Sequence, residues 1–266
     1  MPDFGIVENT LFVPLLGRIY ASENFPHILN DAVAVSLKKK LPPKRKDTNT
    51  QTQYTLLANA VRSAHMDRYI LEFAERNRCG VIVQLGCGLE TSFYRCNTQN
   101  IHWYEIDLPP VIAYRSTLLP REKQETYLAA DAFSEDWIQK IRSRFPKEPI
   151  LVTASGLFYY FKEDKVISLL KTLKRYGNIE IVFDAVNRAG LNQMKKYMNQ
   201  IGHKDALMYF YVNSAKEMGN QIGAALSEEK PYYKNTSKKG LSFATAATMK
   251  FADWLKMVKI VSFKLN

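Results

Sequence analysis

The 266-residue sequence is long enough for one large α/β domain, and its 46% hydrophobic and 24% charged residues are typical of a globular protein. No apolar run approaches the roughly 20 residues that cross a bilayer, and no secretory signal is evident, so we expect a cytoplasmic protein that has no membrane among its partners. The three cysteines lack metal-ligand spacing, which predicts reduced thiols and no metal site.

The net charge of +11 is concentrated in short basic runs. Solvated surfaces are the simplest explanation, and we favour it. A basic surface can also bind nucleic acid or another anionic surface, or attract an acidic substrate to a cleft. The runs lie at residues 38–40, 44–46, 195–196 and 238–239.

Residues 1–53 are predicted to form a helical cap and a loop in front of the main domain, residues 54–266. An apolar pattern predicts a helix over residues 31–41, which Pro42 and Pro43 would end. The polar residues 44–53 are typical of a mobile loop. A long helix is expected over residues 54–76, because its apolar residues recur at helical spacing.

The most informative stretch is the apolar run at residues 81–85, which ends at Gly86-Cys87-Gly88. An uninterrupted β-branched run predicts a parallel strand that helices cover on both faces. Glycines just beyond such a strand allow a tight turn and the close approach of a nucleotide. The dinucleotide-binding fingerprint would need a third glycine where the chain has Thr91, so that pattern is broken.

Polar residues also follow the next two predicted strands. The run at residues 101–107 carries Glu105 and Asp107, which point to the same face of a strand and could accept hydrogen bonds from ribose hydroxyls. The run at residues 127–130 precedes Asp131. Three strands that each end in a ligand-type residue indicate an adenosine-containing ligand. Further strands are predicted at residues 150–154, 179–185, 207–212 and 259–265, with a polar loop over residues 227–240 and a helix from about residue 241.

These residues resemble the ordered motifs of the leucine carboxyl methyltransferase family. Leu-Gly-Cys-Gly-Leu-Glu-Thr at residues 85–91, followed by Arg95, resembles its LGxG-hydrophobic-DT…R signature, with glutamate in place of aspartate. The segments at residues 104–109, 130–132 and 154–160 resemble its later motifs, and Arg62 with Asp67 resembles its ARTxxxD segment. The resemblance covers roughly residues 10–190 and is strongest to the bacterial branch of polyketide-pathway O-methyltransferases of the tetracenomycin type.

The resemblance implies an α/β class I S-adenosylmethionine-dependent methyltransferase fold, with a Rossmann-like, mostly parallel seven-stranded sheet and an N-terminal helical cap. It implies that Arg62 holds the methionine carboxylate of the donor, Asp107 the ribose, and Asp131 with the Ala132 backbone the adenine. Ser155 stands where the family has a glutamate, which predicts weaker donor binding. The donor-binding residues are then Arg62, Gly86, Gly88, Glu105, Asp107, Asp131, Ala132 and Ser155. For Glu105 the alternative role is a structural pair with a nearby arginine. For Arg95 a structural ion pair is the preferred role.

The expected reaction is transfer of a methyl group to an oxygen of a small organic acceptor, either a carboxylate or a hydroxyl. No general base is apparent among the four scattered histidines, and this absence favours a carboxylate, which is already ionised. Candidate acceptor-contacting residues are Tyr20, Tyr159 and Tyr160. Two alternatives remain open: a nucleic-acid methyltransferase that uses the basic runs as a phosphate track, and a donor-binding protein with little catalysis. The acceptor and the oligomeric state are not evident from the sequence.

Overall fold

The computed structural model describes residues 8–41, 51–202 and 205–266, and these form an α/β fold around one mixed sheet. The strand order is β3-β2-β1-β4-β5-β7-β6. Strands β1 to β5 are parallel, β7 runs antiparallel to β5, and β6 runs antiparallel to β7. The strands are β1 (Gly80–Leu85), β2 (Ile101–Asp107), β3 (Glu125–Ala129), β4 (Ile150–Ala154), β5 (Ile179–Val186), β6 (Ala225–Pro231) and β7 (Val258–Leu265).

Helices cover both faces of this sheet. Strand β1 is buried along its whole length, and successive residues such as Val81 and Ile82 belong to different apolar clusters. Because successive strand residues point to opposite faces, the two clusters lie on the two sides of the sheet. The helices are α1 (Phe12–Asn24), α2 (Ala32–Leu37), α3 (Gln53–Arg76), α4 (Ser92–Cys96), α5 (Pro109–Leu118), α6 (Asp136–Arg144), α7 (Glu163–Tyr176), α8 (Arg188–Gln200), α9 (Ala215–Ile222) and α10 (Phe243–Trp254).

The N-terminal helix α1 packs closely against the long helix α3. A Cβ atom at Gly17 would lie 2.5 Å from the Leu56 carbonyl oxygen and 2.7 Å from Asn59 Cβ, so only glycine permits this approach. The close packing places the next residue, Arg18, against the loop that follows β1. The cap is therefore attached directly to the part of the fold that carries the glycine-rich turn.

The predicted fold class is confirmed, and the predicted strands β1 to β5 and β7 lie within a few residues of their expected positions. The strand predicted at residues 207–212 was wrong. That segment is extended, but it makes isolated bonds, with the Tyr209 N–H donating to the Tyr159 carbonyl and the Val212 N–H to the Val186 carbonyl. Strand β6 instead lies partly in the predicted polar loop. It is an edge strand that, among the described residues, pairs only with β7, so its residues are largely polar and exposed and resemble a loop in the sequence. The predicted loop at residues 44–53 falls mostly outside the described residues.

Candidate ligand-binding site

A cavity of about 460 Å³ opens at the carboxyl edge of the parallel strands. The loops after β1, β2, β3 and β4 form one part of its wall, and helices α1, α3 and α8 form another. Most of the residues predicted to bind a donor lie in this wall: Arg62, Gly86, Gly88, Asp107, Asp131, Ala132 and Ser155. Tyr159 and Tyr160 lie there too, together with residues such as Thr10, Val13, Asn59, Lys165, Met194, Tyr197, Met198 and Met208.

The glycine-rich turn after β1 is anchored to the end of β2. Gly86 and Gly88 adopt φ angles of 64° and 48°, in the left-handed region that favours glycine. The Gly88 N–H donates to Asp107 Oδ2 at 2.8 Å, and the Leu108 N–H donates to Oδ1 at 2.8 Å. These bonds fix the Asp107 carboxylate in the cavity wall. A Cβ atom at Gly88 would have its nearest neighbour 3.8 Å away, so the turn leaves space for a ligand.

Arg62 extends from α3 to the loop after β4. Its Nη1 donates to Asp184 Oδ2 at 3.2 Å, and its Nη2 donates to Asn59 Oδ1 at 3.1 Å. Burial alone would lower the pKa of Arg62, but the nearby Asp184 carboxylate keeps it above its usual value. Two of the five guanidinium N–H donors are used in these bonds, so the side chain retains donors for an anion.

Gly156 and Asp184 set the position of that guanidinium. A Cβ atom at Gly156 would lie 2.7 Å from Arg62 Nη1, so the arginine lies directly against the backbone there. Asp184 also accepts from the Gly156 N–H at 2.7 Å and from the Tyr159 hydroxyl at 2.9 Å. This carboxylate, near the carboxyl end of β5, thus links α3 to the turn after β4.

The turn after β3 contributes Asp131 and Ala132. Asp131 is half-exposed and accepts from the Phe133 N–H at 2.9 Å, and the ammonium of Lys165 lies 4.0 Å from its carboxylate. The Lys165 ammonium also lies 4.6 Å from the ring centre of Phe133 and 4.9 Å from that of Phe161. This part of the wall combines a carboxylate with aromatic rings, which suits a flat base with an exocyclic amine.

Glu105 does not line the cavity, so the predicted contact between Glu105 and the donor was wrong. It is fully buried, with Oε1 3.5 Å from Arg115 Nη2, which matches the alternative role of a structural pair with a nearby arginine. Glu105 shares a strand face with Asp107, but it lies inside the sheet and α5 covers it with Arg115. Burial raises the pKa of Glu105 to about 8, although Arg115 opposes that shift.

Arg115 connects this buried pair to the glycine-rich turn. Its Nη1 donates to the carbonyl oxygens of Gly88 at 3.2 Å and Glu90 at 2.6 Å. Its Nη2 also lies 3.4 Å from Glu125 Oε1. We did not identify Arg115 from the sequence, because no spacing pattern indicates a buried arginine that binds backbone carbonyls across 25 residues.

A second ion network fastens the cap to the same turn. Arg18 of α1 donates to the Leu89 carbonyl, to Asp31 and to Glu90. Arg95 pairs with Asp67 at 2.7 Å and with Glu90 at 2.8 Å, consistent with the structural role preferred for it. Burial alone would raise the pKa of Glu90, but Arg18 and Arg95 hold it well below its usual range. The longer glutamate therefore keeps a charged, cap-binding role at this position.

The remaining wall is rich in methionine and tyrosine. Met194, Tyr197 and Met198 come from α8, and Met208 comes from the segment that was wrongly predicted as a strand. Of the predicted acceptor-contacting residues, Tyr20 does not line the cavity; its ring packs against Phe25 at 5.9 Å. The α8 residues were missed because an amphipathic helix gives no sequence signal that its buried face meets a ligand cavity.

The tyrosine hydroxyls of this wall are held protonated. Burial raises the pKa of Tyr159 and of Tyr160, and it raises the pKa of Tyr197 to about 12. No histidine of the described residues lines the cavity. Within the described ranges no cluster of metal-ligating side chains occurs, and none of the helices has the length and hydropathy that a membrane span requires.

Comparison with known proteins identifies a family, a curated relative and solved structures that resemble this chain. The model of the leucine carboxyl methyltransferase family matches residues 15–174. The tetracenomycin polyketide synthesis O-methyltransferase of Streptomyces glaucescens is 27% identical over 183 residues, which are 68% of this chain and 66% of that protein. The match therefore spans slightly less than two thirds of the relative's length.

Two solved structures share the fold. A DUF574 family protein from Streptomyces avermitilis has a TM-score of 0.59 and 12% identity, and the match covers 93% of this chain and 96% of that one. The magnesium protoporphyrin IX methyltransferase from Synechocystis, with bound SAH, has a TM-score of 0.50 and 10% identity over 80% and 89% of the two chains. At such identities the likeness establishes the fold alone.

Proposed function

The chain belongs to the leucine carboxyl methyltransferase family, which uses S-adenosylmethionine, and we propose that it transfers the donor's methyl group to an oxygen of a small acceptor. A carboxylate is the favoured accepting group. The observation that carries the proposal is a single cavity whose wall combines the strand-end loops with the methionine- and tyrosine-rich surface of α8. Such a cavity can hold a polar nucleoside and an apolar acceptor side by side.

The residues around the strand ends fit the donor. Arg62 would hold its methionine carboxylate, since a partly engaged guanidinium beside Gly156 still offers donors. Asp107, anchored by two backbone N–H groups, would accept from the ribose hydroxyls, and Asp131 would accept from the adenine amine. Gly86 and Gly88 would let the backbone approach the ligand.

When bound, S-adenosylmethionine supplies an electrophilic methyl group on its sulfonium. The protein's contribution is to orient the two reactants in line and to exclude water. The cap supports both tasks, because Arg18 binds the Leu89 carbonyl and Glu90 while Val13 and Pro14 of the same helix line the cavity.

The tyrosines favour a carboxylate over a phenol as acceptor. A carboxylate has a pKa of about 4 and needs no base, whereas a phenol with a pKa of about 10 must lose a proton. Tyr159, Tyr160 and Tyr197 have raised pKa values, so they stay protonated and cannot take the proton that a phenol must lose. The relative from Streptomyces glaucescens is named an O-methyltransferase, which supports oxygen as the accepting atom.

A labelled-methyl transfer assay tests this proposal. The protein is incubated with methyl-labelled donor and matched pairs of aromatic acids and phenols of equal size, and products are identified by mass spectrometry. We expect labelled methyl esters, recognised by their release in alkali. Labelled ethers that are stable in alkali would overturn the preference for a carboxylate, although the methyl group would still have been transferred to oxygen. Label on transfer RNA alone, or donor binding with no transfer to any acceptor, would overturn the proposed function.

A further inference from the structure

Helix α10 carries an apolar face that no part of the described chain covers. Phe243 is 90% exposed, Trp254 75% and Phe251 55%. At about 100° per residue these three positions project from one side of the helix. The rings of Phe251 and Trp254 lie 5.8 Å apart and extend one continuous aromatic surface. Three large aromatic side chains this exposed on a single helix indicate a surface that is covered in use.

The opposite side of α10 has an ordinary structural role. Met249, Ala252 and Thr245 are buried, and the first two belong to the apolar cluster beneath the helix. The helix is therefore held firmly from below. The aromatic face therefore lies on a helix whose other side is packed into the core, and it presents a convex surface to its surroundings.

Basic residues accompany this face. Lys250 lies within the helix, Lys239 precedes it and Lys256 follows it, and all three are exposed. The one acidic residue of the helix, Asp253, is turned inward and accepts from the Tyr233 N–H at 2.9 Å. The surface thus combines exposed aromatic rings with positive charge and carries no exposed acid of its own, in a chain with a net charge of +11.

We propose that the aromatic face of α10 docks on an anionic lipid surface. Phenylalanine and tryptophan partition into the boundary between lipid headgroups and acyl chains, while lysines bind the acidic headgroups above them. A convex helix fits such a deformable layer without a complementary groove. A second copy of this chain fits less well, because its lysines would repel the same lysines across the interface. The inference is independent of the reaction in the cavity.

Trp254 provides a specific probe of this contact. The protein has three tryptophans, and the other two, Trp103 and Trp137, are buried. With phosphatidylcholine vesicles that contain phosphatidylserine, we expect the emission of Trp254 to shift to shorter wavelength and its quenching by acrylamide to fall. The protein should sediment with these vesicles, release them at high salt, and ignore vesicles of phosphatidylcholine alone.

Substitutions separate the contribution of the aromatic rings to vesicle binding from that of the lysines. Phe243→Ser and Phe251→Ser should each weaken vesicle binding while leaving the fold intact, since both side chains lie outside the core. Lys250→Gln should weaken it about five-fold, because one basic residue near an acidic surface contributes about 1 kcal/mol. Lys171→Gln is the matched control, an exposed lysine on α7 across the sheet, and should change nothing.

Three results would overturn the proposal. One is the absence of any sedimentation with acidic vesicles. Another is equal loss of binding in Lys250→Gln and Lys171→Gln, which would indicate diffuse charge attraction. The third is a shift of Trp254 emission that depends on protein concentration without vesicles, with a doubled mass in sedimentation equilibrium, which would assign the face to a second copy of the chain.

Discussion

Replacing Arg62 by lysine tests the donor-carboxylate contact while keeping the positive charge beside Asp184. Alanine is less informative, because it would leave Asp184 almost fully buried without its cation, and breaking a buried pair costs about 3–5 kcal/mol of folding free energy. Lysine keeps the ion pair but loses the planar fork that can bind a carboxylate with two parallel hydrogen bonds.

The expected loss of donor affinity follows from the hydrogen bonds that the guanidinium fork would make. A hydrogen bond to a charged group contributes about 1.5–3 kcal/mol, so Arg62→Lys should weaken binding of S-adenosylhomocysteine about 10- to 150-fold. The free energy of unfolding without ligand should fall by less than this. Asp184 would keep the Gly156 N–H at 2.7 Å and the Tyr159 hydroxyl at 2.9 Å as donors.

Isothermal titration calorimetry with S-adenosylhomocysteine measures the affinity, and denaturant unfolding measures the stability. Arg68→Lys is the control, because Arg68 lies on the same helix and forms ion pairs with Glu72 and Glu228 but does not line the cavity. Unaltered affinity in a folded Arg62→Lys variant would refute the assigned contact. Equal losses in both variants would attribute the effect to α3 as a whole.

Three further predictions concern the turn and its surroundings. Gly86→Ala should weaken donor binding, because its Cβ would lie 2.8 Å from Leu157 Cδ1 and displace that side chain of the cavity wall; Gly177→Ala, with similar φ and open space, should cost stability alone, and equal donor affinity in the two would contradict this. Ser155→Glu should tighten donor binding by about ten-fold if a carboxylate there orients the donor, whereas unchanged calorimetric affinity in a folded variant would remove Ser155 from the site. Because the pKa of Glu105 is raised from 4.5 to about 8, the folded protein keeps a proton that the unfolded chain releases, so stability should fall as pH rises through that interval. In Glu105→Gln the free energy of unfolding, measured with denaturant at each pH, should depend less on pH over this interval. The same pH dependence in both proteins would contradict the prediction.

The strand-end residues could be predicted from the sequence because the chemistry there is local. Each parallel strand is a short apolar run, and each run ends at the same edge of the sheet, so the residues that follow must converge. Gly86, Asp107 and Asp131 were located in this way, and all three line the cavity. Glu105 shows the limit of the reasoning. Two-residue spacing gives the face of a strand, but not whether a helix covers that face.

The other wall of the cavity could not be predicted by the same reasoning. Met198 and Met208 meet the strand-end loops only through tertiary packing, and their apolar side chains look like ordinary core residues in the sequence. Strand β6 was missed for a related reason: its alternating exposure comes from pairing with β7, and its own residues favour strands weakly. Long-range pairing and buried polar links such as Arg115 leave no periodic signal.

The crystal structure of the protein with S-adenosylhomocysteine tests the central claim most directly. We predict that the ligand occupies the cavity at the carboxyl ends of β1 to β4, with its carboxylate at Arg62, its ribose at Asp107 and its adenine at Asp131. The vacant side of its sulfur should face the wall formed by Tyr160, Tyr197 and Met198. A ligand bound elsewhere, or a cavity that stays empty at saturating ligand concentration, would contradict the proposed donor site and the methyl transfer that depends on it.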